Sequence, residues 1–172
     1  MISRLINDGH YLGSHSDKHL LYCDWTKRDS LLVTRQEFDD DLDRSYDELN
    51  KFGVKKANAY YFLPPYEWYN DSIVKWTSDQ NLQLINYSPG TRSTADYTYP
   101  EMENRYAASR DIFNSIFEFE KSSGTGLNGF ILLMHIGTDP RRTDKFYHLL
   151  PDLIDELKNK GYEWVRIDKL LH

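Results

Sequence analysis

Three groups of residues in this chain could do chemistry. His15-Ser16-Asp17-Lys18-His19 sets two imidazoles four residues apart, a spacing that puts both rings on one side of a helical turn. So placed, they could share a divalent metal ion, for which neutral imidazole is a common ligand. An ordinary pair of surface histidines has the same spacing. Pro64-Pro65-Tyr66-Glu67-Trp68 is a rigid, aromatic turn behind an apolar stretch, and it reads equally as strand termination and packing. Leu133-Met134-His135 brings an imidazole out at the end of the apolar run Phe130 to Met134, where the plain alternative is a core histidine bonded to backbone. Each signal alone is weak. All three, in this order and each at a strand end, point to one site.

The elements that must position these groups alternate along the chain. Residues 1–8 read as the end of a helix stopped by Gly9, and Leu20 to Tyr22 as a short strand or turn. Thr34-Arg35-Gln36-Glu37 has the form of a capping box, in which hydroxyl and carboxylate satisfy the first amides of a helix. That helix carries Phe38, Leu42, Tyr46 and Leu49 on one face and stops at Gly53. Strands are expected at 57–62, 82–87, 130–134 and 162–167, the fourth of these following Gly161. Between them, helices are expected from Asn70 or Asp71 with Ile73, Val74 and Trp76, over 104–121 with Ile112, Phe113, Ile116 and Phe117, and around Pro151 with Phe146, Leu149, Leu150, Leu153, Ile154 and Leu157. Alternating strands and helices imply parallel βα units in a sheet or barrel, where function gathers at the carboxyl ends of the strands.

Composition bounds the partners. The 172 residues (20.4 kDa) suit one domain, with 21 Lys and Arg against 27 Asp and Glu for a net charge of −6. No basic cluster stands out, which argues against nucleic acid. The apolar runs are far too short to span a bilayer. The single cysteine, Cys23, excludes an intramolecular disulfide framework and a cysteine-rich zinc site. The chain opens without the basic start and apolar region of a secretory signal, and reads as beginning inside a domain. Aromatics reach 15%, including 13 Tyr and 4 Trp, which suits sugar faces and ordinary cores alike.

The stretch Gly9-His10-Tyr11-Leu12-Gly13-Ser14-His15-Ser16-Asp17-Lys18-His19, then Pro64-Pro65-Tyr66, then Ile131-Leu132-Leu133-Met134-His135 resembles the metal-dependent polysaccharide deacetylases, the chitooligosaccharide deacetylase homology domain of carbohydrate esterase family four. Leu149-Leu150-Pro151 through Gly161-Tyr162-Glu163-Trp164-Val165 resembles that family's last helix and strand. The resemblance implies an α/β fold, an irregular (β/α) barrel whose N-terminal strands are missing here. It also implies removal of acetyl groups from N-acetylglucosamine polymers, peptidoglycan or acetylxylan. By the same resemblance His15 and His19 would hold the metal, usually zinc, sometimes cobalt or nickel. Tyr66 would lend its backbone amide to the oxyanion, and Leu133 would line the acetyl-methyl pocket; apart from the resemblance, the aromatics Tyr66, Trp68, Tyr69, Tyr97 and Tyr99 suit stacking on a sugar, with Trp68 a candidate to face it. His135 would be the general acid, oriented by Asp96 of Asp96-Tyr97, a pairing that favours the imidazolium form.

Three departures qualify the resemblance. The family's T-F-D-D-G motif, which supplies the base and a third ligand, is absent from the chain. The arginine of R-x-P-Y is Leu63, and Arg92 is the candidate to enter from another loop in its place. Glu67 follows the tyrosine where many relatives carry glycine; it could complete a metal site, as in a different metal hydrolase on a related barrel. The expectation is therefore a truncated single domain, 1–172, of about five strands against roughly eight in a closed barrel. Such a chain would be inactive alone, and its open edge would be covered by a further segment or second chain. The alternative is an inactive, carbohydrate-binding relative. Family habit implies the cell envelope or secretion.

Overall fold

The structure, a computed structural model, describes residues 1–171, which form two compact units. The first comprises Met1–Asn86 with the C-terminal segment from Arg166, and the second is Tyr87–Val165.

In the first unit, α1 (Ile2–Asn7) ends as expected before Gly9, which adopts φ 80°. Both bonds of the capping box open α2 (Arg35–Asn50): Thr34 Oγ1 accepts the Glu37 amide, and the Glu37 carboxylate accepts the Thr34 amide. The stripe Phe38, Leu42 and Tyr46 is buried, and the Tyr46 hydroxyl satisfies itself on the Ala59 carbonyl at 2.7 Å. Full burial of each large apolar side chain contributes about 1.5–3 kcal/mol. Against this stripe lie β1 (Tyr61–Phe62), Ile73 of α3 (Asp71–Asp79) and Leu82 just before β2 (Gln83–Leu84). Asn70 caps α3 through the Ile73 amide.

β1 and β2 are parallel, with Tyr61 opposite Gln83 and Phe62 opposite Leu84. Ser14 bridges Phe62 on the other side, also parallel. The order Ser14, β1, β2, with α2 and α3 as crossovers, is the expected βα alternation. Gly13 permits the Ser14 approach, because a Cβ there would stand 2.7 Å from the Tyr61 carbonyl oxygen. The strands are shorter than expected: a 3-10 turn at Lys56–Asn58 occupies the start of the 57–62 run. Leu20 to Tyr22 is not a strand, and only Cys23 bridges Leu31.

In the second unit α4 (Ser109–Ser122) and α5 (Leu150–Asn159) enclose a core of Ile112, Phe113, Ile116, Phe117, Phe146, Leu153 and Leu157. Pro151 sits in the first turn of α5, where its missing N–H costs nothing. α4 starts later than residue 104, because Pro100–Arg105 is a 3-10 turn and Asp144, from 35 residues downstream, accepts the Ser109 amide. The expected strands 130–134 and 162–167 are corrected. Among the described residues neither run joins a ladder, and Ile167 already opens a helix; Phe130 to Met134 is only half-buried, and Trp164 and Val165 are exposed. An apolar run looks like a buried strand only when neighbours supply the ladder bonds; here Ile131 exchanges bonds with Ser88 alone. α6 (Ile167–Leu170) lies in the first unit. Among the described residues no helix is long and apolar enough to cross a membrane.

Candidate active site

His15 leaves the carboxyl end of the Ser14 bridge, and the segment to His19 is a bend rather than the expected helical turn. Ser16 (φ 69°) and His19 (φ 53°) take the left-handed conformation, uncommon without glycine and informative where it occurs. This folding brings the His15 and His19 rings to 4.9 Å between centroids, edge to face at 68°. α2 holds the bend from beneath. The Asp41 carboxylate accepts the Lys18 amide at 2.9 Å, Arg44 Nε donates to Asp17 at 3.2 Å, and the Ser45 and Ser14 hydroxyls meet at 2.8 Å. Burial, with the Asp41 charge second, pushes the Tyr22 phenol well above its ordinary value, keeping it a donor to Asp41. Asp41 escaped the sequence reading. Its signal was a carboxylate beside the apolar stripe Phe38, Leu42 and Tyr46 of α2.

His15 Nδ1 donates to the Leu63 carbonyl at 2.8 Å. A carbonyl can only accept, so the proton of the neutral ring is on Nδ1 and the lone pair on Nε2, the arrangement seen behind metal-bound histidines. The two imidazoles therefore fit two positions of a metal centre. They account for two positions; among the described residues no group of three His, Cys, Asp or Glu converges.

Behind β1 the Pro64-Pro65 turn throws Tyr66 (φ 59°) and Glu67 (φ 54°) into left-handed conformations. The Tyr66 ring lies 4.5 Å from His19, and its backbone N–H has no acceptor among the described residues. Trp68, expected to face a sugar, is half-buried. Its Nε1 donates to the Asp24 carbonyl at 3.2 Å, and the Arg28 guanidinium lies 4.3 Å over its ring. The outermost aromatic is Trp25, 55% exposed and 5.6 Å from both Tyr66 and Trp68. The loop bearing it is pinned. The Asp24 carboxylate accepts the Lys27 and Thr26 amides and the Thr26 hydroxyl, which holds that carboxyl below its usual range, and Arg28 Nε donates to the Tyr69 carbonyl at 2.6 Å. Trp25 stood in no motif, and only the fold puts it beside Tyr66.

In the second unit the buried Asp96 carboxylate makes two contacts to one residue. Its Oδ1 meets His135 Nδ1 at 2.6 Å, and its Oδ2 accepts the His135 backbone N–H at 2.6 Å. Two bonds fix both the position and the ring plane of the imidazole. Tyr97, largely exposed, stands edge-on to His135 at 5.8 Å. Leu133 is half-buried on the irregular run leading to His135. Arg92 is exposed; its backbone amide bonds Ser115, and its side chain makes no ion pair among the described residues.

The model of the polysaccharide deacetylase family matches residues 1–85, the segment that holds the histidine pair and the Tyr66 turn. Over 172 residues the chain is 24% identical to a peptidoglycan-N-acetylglucosamine deacetylase of Bacillus cereus, covering 99% of this chain and 68% of that protein. Among solved structures it resembles a peptidoglycan N-acetylglucosamine deacetylase in complex with 4-naphthalen-1-yl-N-oxidanyl-benzamide. There the TM-score is 0.71 at 20% identity, over 98% of this chain and 66% of that one. It also resembles a CE4 family pseudoenzyme from Bacillus anthracis, with a TM-score of 0.68 at 19% identity over 99% of this chain and 49% of the other. At these identities the deacetylase structures share the fold, which for this family is a (β/α) barrel. The chain is a helix-rich α/β piece of it with few strands.

Proposed function

We propose that this chain carries the site of a metal-dependent deacetylase acting on an acetylated polysaccharide, with N-acetylglucosamine polymers such as peptidoglycan first and O-acetyl substrates second. The observation that carries the reading is the turn geometry of the first unit: two imidazoles 4.9 Å apart, with the Tyr66 ring against His19 and the Tyr66 amide without an acceptor among the described residues. His15 and His19 would hold the divalent ion, zinc first with cobalt or nickel as substitutes, and it would supply Lewis acidity for the hydrolysis. The Tyr66 N–H donates to the oxyanion of the tetrahedral intermediate, a contribution on the order of 3 kcal/mol for one preorganised donor. His135 gives its Nε2 proton to the departing amine while Asp96 holds Nδ1. Leu133 takes the acetyl methyl, and Trp68 backs the aromatic surface that meets the sugar. Work on an acetylated wall polymer agrees with an envelope or secreted location.

Catalytic zinc sites typically have three protein ligands, and the described residues bring two together. The 172-residue chain alone is therefore expected to bind zinc without releasing acetate. A second reading, a carbohydrate-binding relative without turnover, draws on the same observation and on the exposed Trp25. The test has two arms. Zinc titrated into the chain should occupy one site that His15→Ala and His19→Ala remove. Acetate release from acetylated chitooligosaccharides, peptidoglycan and acetylxylan is then followed in the zinc-loaded chain, alone and joined to a strand bearing T-F-D-D-G. Release in the joined protein, lost in His135→Ala, supports the catalytic reading. Saccharide binding with zinc but without release in either form supports the second, and absence of zinc binding sinks the first.

A further inference from the structure

We propose that Arg142 is a positioning residue for the Asp96–His135 pair. Its guanidinium is fully buried and ties together three backbone segments of the second unit. Nη1 donates to the Thr98 carbonyl, two residues beyond Asp96, and to the Ala107 carbonyl at 3.0 Å. Nη2 donates to the Ser109 hydroxyl at 3.0 Å, at the first turn of α4. Arg142 itself lies on the irregular segment that follows His135. His135 and Asp96 thus stand on two segments without ladder bonds, and Arg142 is a second tie between the same two segments beside their own direct contact.

Space-filling does not account for an arginine here. Its Nε is buried without a partner among the described residues, and the Asp144 carboxylate, 44% exposed, approaches only to 3.8 Å. Burying a cation with an unpaired N–H is costly, and an apolar side chain of similar volume generally does as well or better for stability alone. No apolar side chain, and no single ammonium, can hold two carbonyls and a hydroxyl in the fixed fork of a guanidinium. Releasing Thr98 frees the stretch that carries Asp96, and Asp96 then no longer holds His135 at both N–H groups.

The kinetic consequence rests on His135 acting as proton donor, but the structural claim is tested without it. In the full chain, hydrogen exchange is followed by NMR at the His135 amide, which Asp96 accepts, and at the Ile116 amide inside α4. Arg142→Lys and Arg142→Met should speed exchange at His135 roughly tenfold or more while Ile116 keeps its protection. Ser109→Ala, which removes one of the three acceptors, is the milder variant should the others fail to fold, and should shift His135 in the same direction by less. Equal acceleration at both amides would mean that Arg142 only holds the unit together, and no change at His135 would mean that it does not act on the pair; either overturns the proposal. If the wild type shows the protected His135 amide but the joined protein releases no acetate, the deacetylase reading fails and the positioning role stands. In an active joined protein, Arg142→Lys should lower kcat with KM retained.

Discussion

In the first unit the two imidazoles stand one and five residues beyond a hydrogen-bonded ladder. In the second, His135 and Asp96 stand on segments that pair with no ladder strand among the described residues. The first cluster is aimed chiefly by backbone, through the Ser14 bridge, β1, and left-handed turns at Ser16, His19, Tyr66 and Glu67, with Asp41, Arg44 and Ser45 of α2 bracing the bend. The second is aimed by side chains: Asp96 on His135, Arg142 on Thr98, Asp144 on the first amide of α4. Backbone aiming rests on main-chain bonds, from the Leu63 N–H to Ser14, the Gln83 N–H to Tyr60 and the Ile85 N–H to Phe62, which a single side-chain substitution does not remove. Side-chain aiming concentrates the same task in a few replaceable groups, so the second cluster should be the more easily uncoupled.

The largest expected effect separates the two clusters by function. In the joined protein His135→Ala should lower kcat by about 10²–10⁴-fold, while zinc affinity, measured by calorimetry, stays at the wild-type value. A fall in zinc affinity would tie the clusters together and break the comparison. Next comes the backbone-aimed cluster. Phe62→Ala in β1 should cost about 3–5 kcal/mol in denaturant unfolding and should weaken zinc binding with it, since His15 leaves the neighbouring strand.

Smaller effects sharpen the picture. Thr34→Ala removes one half of the capping box and should cost about 1 kcal/mol, read from the shift in denaturation midpoint. Trp25→Ala should weaken oligosaccharide binding by a factor of about 2–10 and leave zinc binding intact, measured by titration with a chitooligosaccharide. The smallest concerns pH. The Arg141 guanidinium and amide hold the Asp139 carboxyl down at about 2, against an ordinary 3.8. A depressed carboxyl stabilises above its unfolded value, so this increment is whole above pH 3.8 and disappears as pH falls to about 2. Thermal unfolding of wild type and Arg141→Gln should therefore differ slightly near neutrality and converge across that window.

The helices were legible in the sequence because their signals are local. Thr34 and Glu37 cap α2 as the spacing implies, Asn70 caps α3, and Pro151 opens α5. The strands were legible only where a ladder exists. Tyr61–Phe62 and Gln83–Leu84 pair inside the expected runs, whereas the wholly apolar 130–134 and the mixed 162–167 stay unpaired among the described residues, because pairing depends on partners far along the chain. Of the apolar residues expected on α3, Ile73 is buried while Val74, one position on, is exposed. At the candidate site the chemistry-bearing residue types were readable, but what aims them was not. The His15–His19 bend follows from left-handed backbone and from Asp41 rather than helical spacing, and Arg142 and Trp25 belong to no pattern short of the fold.

The central claim is that His15 and His19 present two imidazole nitrogens to one metal ion. X-ray absorption at the zinc edge of the zinc-loaded chain tests it most directly. The account predicts two imidazoles per zinc at about 2.0–2.1 Å, with the rest of the shell oxygen, and loss of the imidazole signal in the His15→Ala, His19→Ala double variant. A zinc shell without imidazole, or one the double variant leaves unchanged, would contradict it.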